Sequence, residues 1–271
     1  MNPVGIIQGR LSPPSLKRLQ AFPWESWEQE FERARTCGFE GIEWLFEAEG
    51  FSQNPIWSDT GIEGIQTQIA RTGVPVCSCC ADFFLEHPFV RVSESEAASS
   101  AAVLERLIEQ AAAVGVGTVL LPVLEVAELR TPGEKAQLLR YLRAPLDLAA
   151  EHGVRVGLET ELPAGEYADL VGDAGHPALG AYFDTGNATA RGYDMAADIR
   201  ILAPFLCGIH VKDRKTNGPS VALGEGDADF RAFFAAVRTS RYAGPVVLQT
   251  IFGRDFLGMA RAHLNFVKNL L

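Results

Sequence analysis

Residues 152–159 read HGVRVGLE. A helical stretch stops at a glycine, a short apolar run follows, and the run closes on a carboxylate. The same phrase recurs as CGFEGIEW (37–44), TGVPVCS (72–78) and VGVGTVL (114–120). Glycine just past a helix takes the left-handed conformation that ends it. Runs of Val, Ile and Leu without strict alternation suit strands buried on both faces. A repeated helix-stop-strand step of this kind builds parallel βα units.

Working outward, eight such runs are found: VGIIQ (4–8), GIEWL (41–45), PVCSCC (75–80), TVLLPV (118–123), RVGLE (155–159), GAYFD (180–184), CGIHV (207–211) and PVVLQ (245–249). Helical periodicity lies between them. Trp24, Trp27, Phe31 and Ala34 share a face and stop at Gly38; Ile62, Ile65 and Ile69 stop at Gly73. Ser93 with Glu96 reads as a capping box before Leu104, Leu107, Ile108 and Ala111. Thr131, Pro132 and Glu134 mark a helix start that runs through Leu138, Leu142 and Leu146 to Gly153. Further helices are expected at 164–172, 195–203, 229–240 and 256–269. Eight βα units without a linker predict an α/β fold, a (β/α)8 TIM barrel, as a single domain over residues 1–271. A doubly wound open sheet is the competitor. Its glycine-rich phosphate loop is missing, because residues 8–14 read QGRLSPP.

Composition narrows the function. Of 271 residues, 47% are hydrophobic and 21% charged, which excludes disorder and provides for one large core. A formal net charge of -10 opposes a nucleic-acid partner. The N-terminal MNPVGIIQGRL has no charged region leading into a long apolar one, and no run reaches the roughly 20 apolar residues of a membrane span. The expectation is a cytoplasmic protein with no membrane partner. Cys37, Cys77, Cys79, Cys80 and Cys207 lack a second pair for a zinc site and read as reduced, buried thiols.

The active site of a barrel of this kind lies at the C-terminal ends of its strands. Glu159, Asp184, His210 and Gln249 each close one apolar run there. Two carboxylates, an imidazole and a carboxamide make a divalent-metal cage. Each also has a plainer reading: Asp184 as a turn-forming cap, His210 as a satisfied core group. Glu161 lies two residues beyond Glu159 and would share its side of a continuing strand, or cap the next helix. Other strand ends carry Gln8 and Arg10, Glu43, Asp82 and His87, and Glu125. Asn187 could reach back to Asp184, and Lys212, Arg214 and Lys215 add positive charge beyond His210. His152 and His176 read as structural, and His263 as a surface or packing residue.

The segments GIIQGRL (5–11), GFEGIEW (38–44), GLETELP (157–163), FDTGNATARGYD (183–194), GIHVKDR (208–214) and LGEGDADF (223–230) together resemble the xylose-isomerase-like TIM-barrel superfamily. Within it the chain is most similar to the sugar-phosphate isomerase/epimerase group, which includes ulose-5-phosphate 3-epimerases and hexulose-6-phosphate isomerase-like proteins. The resemblance implies one divalent metal ion, Mn²⁺ first, with Mg²⁺, Co²⁺ or Zn²⁺ as alternatives. Its ligands transfer onto Glu159, Asp184 and His210, and the fourth position, a glutamate in the family, is Gln249 here. The DNA-cleaving endonuclease IV branch needs a histidine-rich site, whereas only His210 stands in a matching position.

These expectations set a chemistry. A metal-dependent isomerase or epimerase would take the proton α to a carbonyl, with Glu159 as base and an enediolate as intermediate. Gln249 cannot carry that proton, so isomerisation on one face is favoured unless Glu161, Asp213 or Glu43 supplies a second group. Gln8, Arg10, Glu43, Asp82, Glu161, Asn187, Lys212, Arg214 and Arg254 are the expected substrate contacts. Arg10, Lys212, Arg214, Lys215 or Arg254 would bind a phosphate. A dehydratase or lyase acting on a keto-sugar or polyol, and a non-catalytic sugar-binding barrel, are the alternatives. The expected partner is a small-molecule sugar or sugar phosphate, and the resemblance implies a homodimer or homotetramer.

Overall fold

The computed structural model describes residues 2–13 and 20–271. The barrel strands are β1 (Val4–Ile7), β2 (Gly41–Leu45), β3 (Val76–Cys80), β4 (Thr118–Val123), β5 (Arg155–Thr160), β6 (Leu179–Asp184), β7 (Leu206–Val211) and β8 (Val246–Leu248). Each pairs in parallel with its chain neighbours, and β1 pairs with β8, so the sheet closes on itself. This is the (β/α)8 barrel that the repeated phrase predicts.

The helices are α1 (Trp27–Cys37), α2 (Asp59–Thr72), α3 (Phe83–Glu86), α4 (Glu94–Val114), α5 (Pro132–His152), α6 (Ala164–Ala174), α7 (Thr185–Arg191), α8 (Met195–Leu202), α9 (Phe230–Thr239) and α10 (Phe256–Lys268). Gly38, Gly73, Gly115 and Gly153 end α1, α2, α4 and α5 in the left-handed conformation. Both capping boxes form, Ser93 with Glu96 and Thr131 with Glu134. No helix among the described residues is long and apolar enough to cross a membrane.

Three local departures bear on the site. The segment after Asp184, expected as a turn, is the helix α7, with Asp184 as its N-cap: Asp184 Oδ1 accepts from the Asn187 N–H at 2.7 Å. The strand expected to end on Gln249 ends at Leu248, which leaves Gln249 on the rim. Beyond β7, Asp213–Arg214 and Ser220–Val221 form a small antiparallel hairpin. His263 is buried and bonded through Nδ1 to Thr250 Oγ1 at 2.9 Å, so of its two expected places it takes the packing one.

Register aligns the site. Asp184 of β6 stands beside His210 of β7, and Pro122 of β4 beside Glu159 of β5. A central narrowing comes from Gly208. A Cβ there would lie 2.1 Å from Tyr182 Cε2, so only glycine lets the Tyr182 ring lie across β7.

Candidate metal centre and its surroundings

Glu159, Asp184 and His210 each offer one ligand atom, and these atoms lie within 4.8 Å of one another. All three residues are buried. His210 Nδ1 is 3.7 Å from Asp184 Oδ2 and 4.0 Å from Glu159 Oε1. Neither His210 Nδ1 nor Asp184 Oδ2 has a hydrogen-bond partner, although both are sealed from solvent. A buried polar atom without a partner is costly. Two of them facing one point, with a second carboxylate beside them, fit a divalent cation with mixed nitrogen and oxygen ligands.

The imidazole is aimed from behind. His210 Nε2 donates to Glu43 Oε2 at 2.5 Å, which turns Nδ1 toward the two acids. Glu43 Oε1 accepts from Tyr182 Oη and from Ser78 Oγ, both at 2.7 Å. Glu43 is fully buried beneath the centre. Expected among the substrate contacts, Glu43 has both carboxylate oxygens engaged by protein groups and supports His210. Burial alone would lower the pKa of His210, but the carboxylates of Glu43, Glu159 and Asp184 together outweigh it and the imidazole is held above its ordinary value.

The two acids differ. Burial, then the neighbouring Asp184, pushes Glu159 up to about 8. Burial also works against an ionised Asp184, yet Lys212 and His210 hold it below the ordinary carboxylate range. Asn187 joins them. Its backbone N–H is on Asp184, and its Nδ2 donates to Glu159 Oε1 at 3.1 Å.

The fourth side is occupied by a cation. Lys212 Nζ lies 3.0 Å from Asp184 Oδ2, an ion pair without hydrogen-bond alignment, and donates to Gln249 Oε1 at 2.7 Å. Gln249 Nε2 donates to Gln20 Oε1 at 3.0 Å. Gln20 in turn donates to Asp82 Oδ2 at 2.5 Å and accepts from Arg10 Nη2 at 3.1 Å. Gln20 lies in the loop after β1, outside any strand-end pattern, and no sequence signal marks it.

The remaining expected contacts divide. Arg10 is buried, with Nε on the Thr250 carbonyl at 2.7 Å and its guanidinium 4.8 Å from the Phe252 ring centre. Gln8 is buried and accepts from the Leu45 N–H at 2.9 Å. Glu161 lies past the end of β5 and pairs with Arg191. The strand expected to continue past Glu159 stops at Thr160. Arg214 donates twice to the Gly218 carbonyl within its hairpin, Lys215 pairs with Asp227 at 3.1 Å, and Arg254 is exposed. Asp213 is fully buried and accepts from the N–H groups of Gly224, Gly226 and Ala228. Three acids considered as a second proton carrier are thus engaged elsewhere: Glu161 with Arg191, Asp213 with a loop, Glu43 beneath His210.

Curated relatives include L-ribulose-5-phosphate 3-epimerase UlaE of Salmonella paratyphi C, 25% identical over 233 residues, which covers 83% of this chain and 82% of the relative. The enzyme of that name from Salmonella typhi is 24% identical over the same span. Among solved structures, an L-ribulose 3-epimerase superposes with a TM-score of 0.81 at 19% identity, over 99% of this chain and 94% of the other. The 3-keto-D-glucoside 4-epimerase YcjR of E. coli gives 0.78 at 20% identity, over 99% and 100%. At such identities the structures speak to the fold. The sequence model of the xylose isomerase-like TIM barrel matches residues 31–270, nearly the whole closed barrel, and the chain belongs to that family.

Proposed function

We propose that the protein is a divalent-metal-dependent isomerase or epimerase of a sugar or sugar phosphate. The observation that carries this reading is the convergence of Glu159, Asp184 and His210, with two buried ligand atoms that make no hydrogen bond. An ion bound there, Mn²⁺ first, supplies Lewis-acid polarisation of a carbonyl oxygen.

The protein's own groups do the rest. Glu159 takes the proton from the carbon next to the carbonyl. Its raised proton affinity suits a base that must accept a proton near neutral pH and hand it back. The Asn187 amide fixes one oxygen of that carboxylate and leaves Oε2 for the proton. Glu43 keeps His210 aimed, and Lys212 places positive charge beside Asp184 where negative charge gathers on the substrate. Asn187 and Lys212 are the substrate contacts best supported by this arrangement, while Arg10 and Asp82 are tied into the rim through Gln20.

Gln249 exchanges no proton near neutral pH, and Glu43, Glu161 and Asp213 are engaged elsewhere. This supports proton removal and return on one face by Glu159, the route of aldose–ketose isomerisation. Epimerisation is the second reading, favoured by what the relatives are named for. It needs a proton carrier on each face.

The test is incubation of Mn²⁺-loaded protein with ketoses and ketose phosphates in D₂O, followed by NMR. Deuterium uptake with a shifted carbonyl identifies an isomerase. Uptake with inversion and an unmoved carbonyl identifies an epimerase. No uptake across a broad panel sinks both.

A further inference from the structure

We infer that Gln249 is not a ligand of the ion but the seat of a built-in cation, the Lys212 ammonium, so that the metal is held by three protein ligands and competes with Lys212 for Asp184. This rests on the metal reading above and changes the place of Gln249 within it.

The position of Lys212 is constructed by several groups. Its backbone is gripped by one hydroxyl: Thr185 Oγ1 accepts from the Lys212 N–H at 2.9 Å and donates to the Lys212 carbonyl at 2.7 Å. Its stem runs over Gly186, where a Cβ would come within 2.8 Å of Lys212 Cγ. Its Nζ ends between Asp184 Oδ2 and Gln249 Oε1. One short segment, Asp184-Thr185-Gly186, thus supplies the ion-pair partner, the backbone grip and the slot for the stem. The lysine side chain is 16% exposed, so the charge is largely removed from water.

Gln249 completes the seat. Its carbonyl oxygen, the only atom of an amide that would ligate a hard cation, is turned toward Lys212 and accepts from it. One N–H of its amide donates to Gln20. A glutamate here would add charge to the ligand set, whereas the amide gives Lys212 a neutral acceptor. With two carboxylates and one ammonium, the site offers a divalent ion less negative charge than the carboxylates alone would. The ammonium also stands on the Asp184 oxygen that faces His210 Nδ1. A divalent ion on that oxygen would meet the ammonium beside it as a like charge, so the two compete.

Mn²⁺ binding to metal-stripped protein, followed by loss of the aqueous Mn²⁺ signal in electron paramagnetic resonance, tests this without any substrate. Native protein is compared with Gln249→Ala, Lys212→Met and the double variant Lys212→Met/Gln249→Glu, each first checked by circular dichroism for a native-like melt. Gln249→Ala is expected to stay within about threefold of native affinity. Lys212→Met is expected to tighten binding by about tenfold, the size of change that groups behind a ligand shell produce, and the double variant further still. A loss beyond about threefold in Gln249→Ala makes Gln249 a ligand and overturns the inference while leaving the metal reading intact. Failure of Lys212→Met to tighten binding overturns the competition. If neither native protein nor Lys212→Met takes up Mn²⁺, the metal reading itself falls, and this inference with it.

Discussion

The two sides of the barrel mouth treat polar atoms in opposite ways. On the β5–β7 side, His210 Nδ1 and Asp184 Oδ2 are buried without a hydrogen bond and lie 3.7 Å apart, with the Lys212 ammonium 3.0 Å from Asp184 Oδ2. On the side where the β1 loop meets β8 and β3, Gln249, Gln20, Asp82 and Arg10 hand hydrogen bonds to one another. A folded chain does not leave buried donors and acceptors idle without cause. The first side keeps ligand atoms without hydrogen bonds, as the proposed metal site requires. The second is a hydrogen-bonded frame, although Gln8 Nε2 at the end of β1 is also buried without a partner, and Lys212 reaches across between the two sides.

The largest effect expected from this contrast is at the incomplete side. Glu159→Gln keeps the shape and removes the proposed base. Deuterium exchange into substrate should fall by ~10²–10⁴-fold. Exchange that survives at the native rate would place the base elsewhere.

The frame can be probed through pH. Glu30 is buried under the β1 loop, where it accepts from the N–H groups of Gly9 and Leu11 and from Ser12 Oγ. Burial pushes it up from 4.5 to about 7, despite the pull of these donors. The folded protein therefore holds the proton over a range where the unfolded chain has lost it. The stability that this proton contributes is complete below about pH 4.5 and is lost as pH rises to about 7, a change of about 3 kcal/mol for this group. Urea unfolding at half-unit pH steps measures it, and Glu30→Gln should flatten that slope. An unchanged slope in the variant assigns the pH dependence to other groups.

Glu43 lies beneath His210, held by Tyr182 and Ser78, and aims the imidazole toward the proposed site. Glu43→Gln should weaken Mn²⁺ binding by ~10–100-fold, as loss of a group behind a ligating histidine does. Unaltered affinity would detach Glu43 from the metal. Smallest of all should be Gln20→Ala. It removes shared hydrogen bonds at the rim, worth about 1 kcal/mol net, and steady-state kinetics should show a loss below about tenfold. A larger loss would move Gln20 from the frame into contact with substrate.

Much of the fold was legible in the chain because its punctuation is local. A glycine such as Gly153 ends a helix by its own backbone freedom, and RVGLE begins a strand by its own side chains. The end-of-strand positions of Glu159, Asp184 and His210 were readable for the same reason. Partners distant in sequence were not. Glu43 looks like any strand-end acid until Gly208 opens the way for Tyr182 to reach it. Gln20 carries no pattern, and Lys212 differs from Lys215 only in what Thr185 and Gly186 do for it. Where β5 ends was also beyond reach, and with it the turn that sends Glu161 to Arg191.

Asp213 has a consequence for motion. Its carboxylate fastens the amides of Gly224 and Gly226 at 2.8 and 2.9 Å, and a Cβ on Gly226 would collide with it. These surface-loop amides should exchange their hydrogens as slowly as those of a strand. This stretch of the rim would then act as a fixed doorpost, and whatever breathing admits a substrate must happen elsewhere around the mouth.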